Sequence, residues 1–328
     1  MAKNDVLAIG NAIVDILSKG DDALLDQLKL EKSAMKLINR HEAETLLNLL
    51  PDQKKTSGGS AANSAAGIAV LGGNTRYVGK IANDALGDLY ASDLTSLDGL
   101  SFNSSRLSGG ENTAISAIIV TDDGERTMNT YLGACLHLTE DDIVEREVQD
   151  ANVIFFEGYL WDQPKARDAV LKAIDIAKAT SDARIAITLS DANCVRRHLS
   201  AFNELINDSK VDLVLANKQE LQALYAADTI DSAINSAANA KCAFAVTLGS
   251  KGAAAIENGI IHLVESKPVA KIVDLVGAGD AFAAGLLLGY SRNEPLAKSA
   301  SNGCAFAAEI IQTEGARIAA PVTSSFKI

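Results

Sequence analysis

Three small residues lead directly into a carboxylate near the end of the chain, and together they could perform chemistry. Gly277, Ala278 and Gly279 precede Asp280, and an apolar run follows. A glycine-rich turn that opens a helix leaves backbone N–H groups unpaired, and the helix dipole adds positive potential, so an anion site is predicted. A carboxylate beside a bound phosphate indicates a general base, which predicts phosphoryl transfer to a hydroxyl group. The alternative is a tight turn in which Asp280 only caps the helix.

Two adjacent glycines and an asparagine form a second cluster at a predicted helix start. Gly58 and Gly59 let a ligand approach the backbone closely, and Asn63 offers both a donor and an acceptor one turn later. Asp15 follows the first predicted strand, where a carboxylate faces the ligand crevice of a parallel sheet. This set suits a substrate with vicinal hydroxyl groups. The alternative makes Ser60 an ordinary helix cap and leaves Asn63 in solvent.

A third group follows two later predicted strands and suits a nucleotide. Asn217 and Glu220 are spaced to share one helix face, where they could organise water around a magnesium ion bound mainly by phosphates. A capping box fits the same spacing equally well. The turn from Thr247 through Gly249 to Gly252 is polar and suits contacts to nucleotide phosphates and ribose, although alone it is only a turn.

The elements that must position these residues form a regular alternation. From about residue 150, short apolar segments alternate with helical patterns, which predicts strands at 153–156, 184–189, 212–216 and 243–248 and helices at 164–179, 198–207 and 218–226. Strands at 6–10 and 75–81, with a small-residue helix at 60–71, extend the same pattern. The prediction is a single α/β domain over residues 1–328, a three-layer sandwich with a mainly parallel central sheet.

Two insertions interrupt this alternation, at about residues 12–40 and 98–135. A hairpin signal at 122–124 lies between predicted strands 114–120 and 126–132. We expect the insertions to form a small antiparallel sheet that stands off the main domain. One interpretation is a lid, because phosphoryl transfer must exclude water from the donor; the alternatives are a dimerisation sheet or a passive edge.

Composition excludes several other classes of protein. The net charge is −12 and no block of five or six basic residues occurs, which argues against nucleic-acid binding. No apolar stretch approaches the ~20 residues that span a bilayer, and the amino terminus lacks the pattern of a signal peptide. The four widely spaced cysteines, Cys135, Cys194, Cys242 and Cys304, indicate reduced thiols, not disulfides or a zinc site. We therefore expect a cytoplasmic protein with a small-molecule substrate, no nucleic-acid or membrane partner, and a monomeric or homodimeric state.

Taken together, these segments resemble the ribokinase-like (PfkB) family of sugar and nucleoside kinases along nearly the whole chain. Residues 58–63, followed by the glycine pair at 72–73 and by 78–87, are similar to the amino-terminal signature of that family. Residues 274–282 are similar to its carboxyl-terminal signature. Leu275 and Val276 depart from the family pattern, which commonly has threonine and a small or polar residue. A monovalent-cation site beside them stays an open alternative.

The resemblance implies ATP-dependent phosphorylation of a hydroxymethyl group, with magnesium. Asp280 would be the base, and residues 277–279 would form the anion hole. The implied acceptor site contains Asp15, Gly59 and Asn63; Asn217 and Glu220 would serve magnesium and phosphate; residues 247–252 and the helix around Asn302 would hold the nucleotide.

Within the family, residues 10–15, 126–134 and 189–191 are more similar to adenosine kinases than to ribokinases. Tyr159, with Leu160 and Trp161, could form an apolar slot for a purine, or it could pack the lid hinge. Adenosine or a related purine nucleoside is the favoured acceptor, and a sugar such as ribose or fructose is the alternative. A non-catalytic nucleotide- or sugar-binding regulator is a second alternative, against which Asp280 argues because a binder needs no carboxylate beside a phosphate.

Overall fold

Two sheets and a short two-stranded ribbon make up the strands of the fold, in a computed structural model that describes residues 3–180 and 182–317. In chain order they are β1 Asn4–Ile9, β2 Ile13–Lys19, β3 Met35–Leu37, β4 Lys54–Gly58, β5 Thr75–Val78, β6 Ile81–Ala82, β7 Leu100–Phe102, β8 Arg106–Leu107, β9 Ala114–Val120, β10 Arg126–Tyr131, β11 Ala151–Glu157, β12 Arg184–Thr188, β13 Leu213–Asn217, β14 Ala243–Thr247, β15 Ala253–Glu257 and β16 Ile260–Val264.

The helices lie mainly between these strands. In chain order they are α1 Asp22–Leu28, α2 Arg40–Leu49, α3 Ser60–Val70, α4 Ala85–Thr95, α5 Glu145–Gln149, α6 Pro164–Thr180, α7 Ala192–Arg197, α8 Leu199–Asn207, α9 Lys218–Tyr225, α10 Ile230–Ala237, α11 Ala278–Ser291 and α12 Leu296–Ile310. None of those described combines the length and the apolar character needed to cross a bilayer.

A nine-stranded sheet forms the centre, in the order β16-β15-β14-β13-β12-β11-β1-β5-β7. The seven strands from β14 to β7 are parallel, and β15 and β16 add an antiparallel edge. The carboxyl ends of the parallel strands therefore lie along one edge of the sheet, which is where ligands bind in such folds. The loops after β1, β11, β13 and β14 meet at this edge.

Helices cover both faces of the large sheet, which confirms the predicted three-layer α/β sandwich. In β1, Val6 and Ala8 pack in the cluster that contains α3, α4, α11 and α12, whereas Leu7 and Ile9 face the cluster of α5–α10. The abundance of alanine and glycine follows from close helix packing: a Cβ added to Gly67 of α3 would lie 2.7 Å from the Cβ of Ala284 in α11. The two helices that carry the candidate site are thus held tightly together.

The small sheet has five strands in the order β3-β10-β9-β2-β4. The predicted hairpin is present as β9 and β10, but the sheet is mixed, because β2 pairs with β9 and β3 with β10 in parallel. Two predicted boundaries need correction: β4 lies beyond 12–40 and belongs to the small sheet, while β7 lies within 98–135 and belongs to the large one. The predicted strand 75–81 is also interrupted, since β6 leaves β5 to pair with β8.

All four cysteines are free and buried, each in a different part of the structure. Cys194 lies in α7, Cys304 in α12 and Cys242 just before β14. Cys135 lies in the turn after β10, where its sulfur is 3.4 Å from the carbonyl oxygen of Ala12. The sequence predicted reduced thiols, and the structure places all four cysteine side chains in the interior.

Candidate active site

The amino terminus of α11 lies where the sequence predicted an anion site. Gly277 precedes the helix with a φ of 75°, a left-handed conformation that favours glycine. Ala281 donates the first full-turn bond to the carbonyl of Gly277, at 2.8 Å, so the N–H groups of Gly279 and Asp280 have no helical carbonyl one turn back. Apart from its chain neighbours and the backbone of its own helix, no described atom lies within 4 Å of a Cβ added to Gly279. The helix start is therefore open to an anionic ligand.

Asp280 is held by two side-chain donors from the start of α3. The hydroxyl of Ser60 donates to Oδ1 at 2.7 Å, and the amide of Asn63 donates to Oδ2 at 2.9 Å. Burial raises the pKa of Asp280 above its ordinary value, while these two bonds and the Arg317 guanidinium act to lower that pKa. Asn63 is itself buried and Ser60 makes no capping bond. The alternative that made Ser60 an ordinary helix cap and left Asn63 in solvent is therefore wrong.

Asp15 lies on β2 against the glycine pair. A Cβ on Gly58 would overlap the Asp15 carboxylate, and a Cβ on Gly59, whose φ is 94°, would overlap the carbonyl oxygen of Asn11. The two glycines are thus needed because neighbouring protein atoms occupy the space of a side chain, and the close approach of a ligand to them stays a prediction. Burial raises the pKa of Asp15 to about 7, with Arg317 acting to lower that pKa and Asp280 to raise it.

Glu157, at the end of β11, supports the same cluster and was missed in the sequence. Oε1 accepts bonds from the backbone N–H of Asn11 at 2.9 Å and from its side-chain amide at 2.7 Å, and Oε2 accepts from the N–H of Ala61 at 3.0 Å. Only 1% of Glu157 is exposed, and burial raises the pKa of its carboxyl group to about 7. The carboxylate caps α3 in place of Gly59, which has no side chain. The available signal in the sequence was the position of Glu157 directly after the predicted strand 153–156.

Asp274 connects the small sheet, the loop before α11 and the segment after α12. Its Oδ1 accepts from the N–H of Val276 at 3.0 Å, and its Oδ2 accepts from the N–H of Gly315 at 2.9 Å. The guanidinium of Arg126, on β10, forms an ion pair with the same carboxylate. This carboxylate is already bound by three donors, which does not favour a monovalent cation beside Leu275.

A cavity of about 360 Å³ lies between the small sheet, α3 and the residues after α12. Asp15, Asn63, Arg126 and Arg317 contribute polar atoms to its wall, and Asp280 lies directly behind Asn63. The remaining lining combines apolar side chains, such as Leu17, Val70 and Phe306, with further polar ones, such as Lys54, Thr56 and Asp93. This volume and this mixture of surfaces are typical of small-molecule sites.

Asn217 and Glu220 form the capping box that was the alternative interpretation. The Asn217 side chain accepts from the Glu220 N–H at 3.0 Å, and Glu220 accepts from the backbone N–H of Asn217 at 2.9 Å. Burial raises the pKa of Glu220 to about 7. Because both Glu220 oxygens bind Asn217, the geometry fits a contribution to magnesium binding through water better than direct ligation.

The turn from Thr247 to Gly252 lies at the same level of the sheet as this capping box. Thr247 is the register partner of Asn217 in the neighbouring strand. Gly249 has a φ of 66° and is exposed, while the N–H of Leu248 donates to the carbonyl of Gly252 at 2.7 Å and closes the turn. The sheet therefore brings these predicted nucleotide residues together.

Three residues predicted for ligand binding lie elsewhere. Asn302 is buried between α11 and α12, where its amide donates to Glu294 at 2.8 Å, so its side chain is not offered to a nucleotide. Trp161 is buried in the core and stacked on Phe156 with ring centroids 5.5 Å apart, so it does not form a purine slot. Tyr159 is partly buried near Asp191 and outside the cavity lining. Residue type alone does not indicate what these side chains contact.

An open helix start suited to anions, with a partly buried carboxylate in its first turn, suits the transfer of a phosphoryl group to an alcohol. The class of protein is thus a phosphotransferase with an alcohol group as acceptor. A family model described as pfkB family carbohydrate kinase matches residues 28–323. The chain belongs to that family, and the family implies ATP as the phosphoryl donor.

Similar proteins include both nucleoside and sugar kinases. The solved adenosine kinase of Sinorhizobium meliloti is 42% identical over 99% of this chain and 98% of its own, with a TM-score of 0.91. A probable sugar kinase of Rhizobium etli is 40% identical over 100% of this chain and 98% of its own, with a TM-score of 0.92. The fructokinase of Solanum tuberosum is 31% identical over 72% of both chains.

Proposed function

We propose that this enzyme phosphorylates the hydroxymethyl group of a nucleoside, with adenosine as the favoured acceptor and ATP as the donor. The observation that carries the proposal is the position of Asp280, which lies in the first turn of α11 and is held there by Ser60 and Asn63. A carboxylate in this place can accept a hydroxyl proton while the backbone N–H groups beside it bind the transferring phosphate.

The residues would divide the reaction between them. Magnesium-bound ATP, when present, supplies the phosphoryl group and part of the charge that stabilises its transfer. The N–H groups of Gly279 and Asp280 would bind phosphate oxygens, and Asp15 would orient the acceptor by its hydroxyl groups. As the acceptor oxygen bonds to phosphorus and the bond to ADP breaks, the hydroxyl proton passes to Asp280. Residues 217–220 and 247–252 would serve the nucleotide, Glu220 acting on magnesium through water.

Two observations support a nucleoside as the acceptor. The adenosine kinase of Sinorhizobium meliloti is 42% identical over almost the whole chain. The cavity of about 360 Å³ also offers apolar side chains beside its polar ones. This mixed surface suits a nucleoside, whose base packs on apolar atoms and whose ribose hydroxyl groups need polar partners, since each unpaired hydroxyl group costs ~1–3 kcal/mol. A sugar acceptor such as fructose is the second candidate, because the fructokinase of Solanum tuberosum is 31% identical to this chain.

The test is ADP formation from magnesium-ATP with adenosine, inosine, ribose, fructose and fructose 6-phosphate, one acceptor at a time. Turnover with adenosine, with a kcat/KM at least ~100-fold above that for each sugar, is the expected result. Turnover with a sugar instead would overturn the nucleoside assignment and retain Asp280 as base. Absence of turnover with every acceptor would contradict the proposal as a whole.

A further inference from the structure

A short segment after α12, residues 314–317, packs on the loop that precedes the base. The N–H of Gly315 donates to Asp274 at 2.9 Å. Ala316 lies against Gly277, since a Cβ added to that glycine would be 2.6 Å from the Cα of Ala316. These contacts bring the next residue, Arg317, to the acceptor side of the site.

The Arg317 side chain bridges β4 and α3. Its Nε donates to the side-chain oxygen of Asn63 at 2.8 Å, and its Nη1 donates to the hydroxyl of Ser57. The same Nη1 lies 3.7 Å from the carboxylate of Asp93, and the side chain is 19% exposed. Arg317 also lines the cavity that Asp15 and Asn63 line. It is therefore part of the wall and is not a surface residue with a chance contact.

The contact with Arg317 determines which way the Asn63 amide faces. An asparagine side chain has one acceptor end and one donor end. Because the oxygen accepts from Arg317, the NH₂ group is directed to Asp280, to which it donates at 2.9 Å. The reversed amide would place its NH₂ against the guanidinium and its oxygen against the carboxylate, which loses both bonds.

The positive charge of Arg317 also acts on Asp280. The titratable groups that face Asp280 are Asp15 from β2 and Glu157 from β11, and both are acidic. Within residues 3–180 and 182–317, Arg317 is the cation that acts on Asp280, and it lowers the pKa that burial raises. Arg126 acts on Asp15 from the small sheet. Removal of the guanidinium would leave the carboxyl groups of Asp15 and Asp280 with less compensating positive charge.

We propose that Arg317 is a positioning residue of the acceptor site, which fixes the Asn63 amide so that it donates to the catalytic base. The inference rests on the proposed function only in taking Asp280 as that base. It makes the segment 314–317 a member of the active site, although residue 317 is 254 positions from Asn63 in the sequence.

The test compares Arg317→Met and Arg317→Lys with the wild type, using the acceptor that the wild type turns over. We expect Arg317→Met to lower kcat by ~10- to 100-fold with a smaller change in KM for ATP. The acid limb of its kcat–pH profile should move to higher pH by roughly one unit, because the neighbouring positive charge is lost. Arg317→Lys retains the charge without the planar fork, so it should restore the acid limb and only part of kcat.

Arg146→Met is the matched control, since Arg146 pairs with Asp150 on exposed α5. It should match the wild type in kcat, acid limb and thermal unfolding. If Arg317→Met lowers kcat together with the unfolding temperature but leaves the acid limb unchanged, Arg317 only stabilises the fold and the proposal is wrong. If Arg317→Met does not fold, Arg317→Lys still tests the proposal, because a kcat of Arg317→Lys equal to that of the wild type would exclude a role for the planar guanidinium group.

A second readout needs no acceptor. The side-chain NH₂ signal of Asn63, in protein labelled with ¹⁵N-asparagine and identified by its loss in Asn63→Asp, should follow the ionisation of Asp280. Its midpoint should lie at higher pH in Arg317→Met than in the wild type, by roughly one unit. Equal midpoints would overturn the inference. If the wild type phosphorylates nothing, the proposed function fails, and this titration alone decides on Arg317.

Discussion

Replacing Asp280 by asparagine separates the chemistry of the candidate base from its structural contacts. The two side chains have the same shape, and both bonds can persist. The new amide oxygen can accept from Asn63, while the new NH₂ can donate to the hydroxyl of Ser60, which rotates to accept. The change therefore removes the proton acceptor and its charge and little else.

The expected magnitudes follow from this geometry. Loss of a general base lowers the rate by ~10²- to 10⁴-fold, which corresponds to an increase of ~3–5 kcal/mol in the activation free energy. Two charge-assisted bonds become neutral, which costs roughly 1 kcal/mol of unfolding free energy at most. Affinity for magnesium-ATP should be unchanged or higher, because a negative charge near the phosphate site is lost.

Three measurements on Asp280→Asn check these values: initial rates of ADP formation, calorimetric titration with magnesium-ATP, and denaturant unfolding. Ser60→Ala provides a graded comparison, because it removes one bond to the base and leaves the carboxylate, so kcat should fall by only ~10-fold. A kcat for Asp280→Asn within about threefold of the wild type would refute the assignment of the base, since such a loss is below the range for general-base catalysis. Loss of ATP binding together with unfolding would refute the claim that the substitution is structurally conservative.

Two other predictions concern the support of the site. Since burial raises the pKa of Glu157 from 4.5 to about 7, its stabilising effect is complete below pH ~4.5 and is lost as the pH rises through ~7. Denaturant unfolding between pH 4.5 and 8 should therefore show the wild type losing ~3 kcal/mol relative to Glu157→Gln, and parallel curves would contradict this. Gly277→Ala should lower the unfolding free energy by ~2–4 kcal/mol and reduce kcat, since it combines a left-handed φ of 75° with a contact at Ala316. Gly124→Ala has a similar φ of 83° with no described atom within 4 Å, so it should lose only ~1–2 kcal/mol, and an equal loss in both would exclude the contact.

The sequence was sufficient for the layers of the fold because buried parallel strands are continuous apolar segments. The strand predicted at 153–156 is the centre of β11, and the helix predicted at 164–179 is α6 to within one residue. By contrast, β4 is Lys-Lys-Thr-Ser-Gly, with its first half exposed, and it has no apolar pattern to detect. The boundary of the small sheet was therefore placed too early.

The candidate site divides in the same way between local and long-range information. Asp280 and its glycine turn could be predicted, since an open helix start is a property of consecutive residues. Glu157 could have been found by the rule applied to Asp15, that of a carboxylate at the carboxyl end of a parallel strand, although Asp15 itself lies within β2 of the small sheet. No local pattern marks Arg317, because its role depends on a contact with Asn63 across the fold. Asn302 was misplaced because residue type alone does not reveal the face of a helix.

The four buried thiols give this protein a set of reporters that need no engineering. A thiol reagent reaches a buried sulfur only when the surrounding segment opens, so the labelling rate of each cysteine measures the free energy of that local opening. Cys135 contacts the carbonyl of Ala12, between the two insertions that build the small sheet. The labelling rate of Cys135 therefore reports how often that sheet separates from the main domain. The labelling rates of Cys194 and Cys304 report the opening of one helical layer each. Mass spectrometry of the labelled peptides would thus record the movements of the enzyme segment by segment.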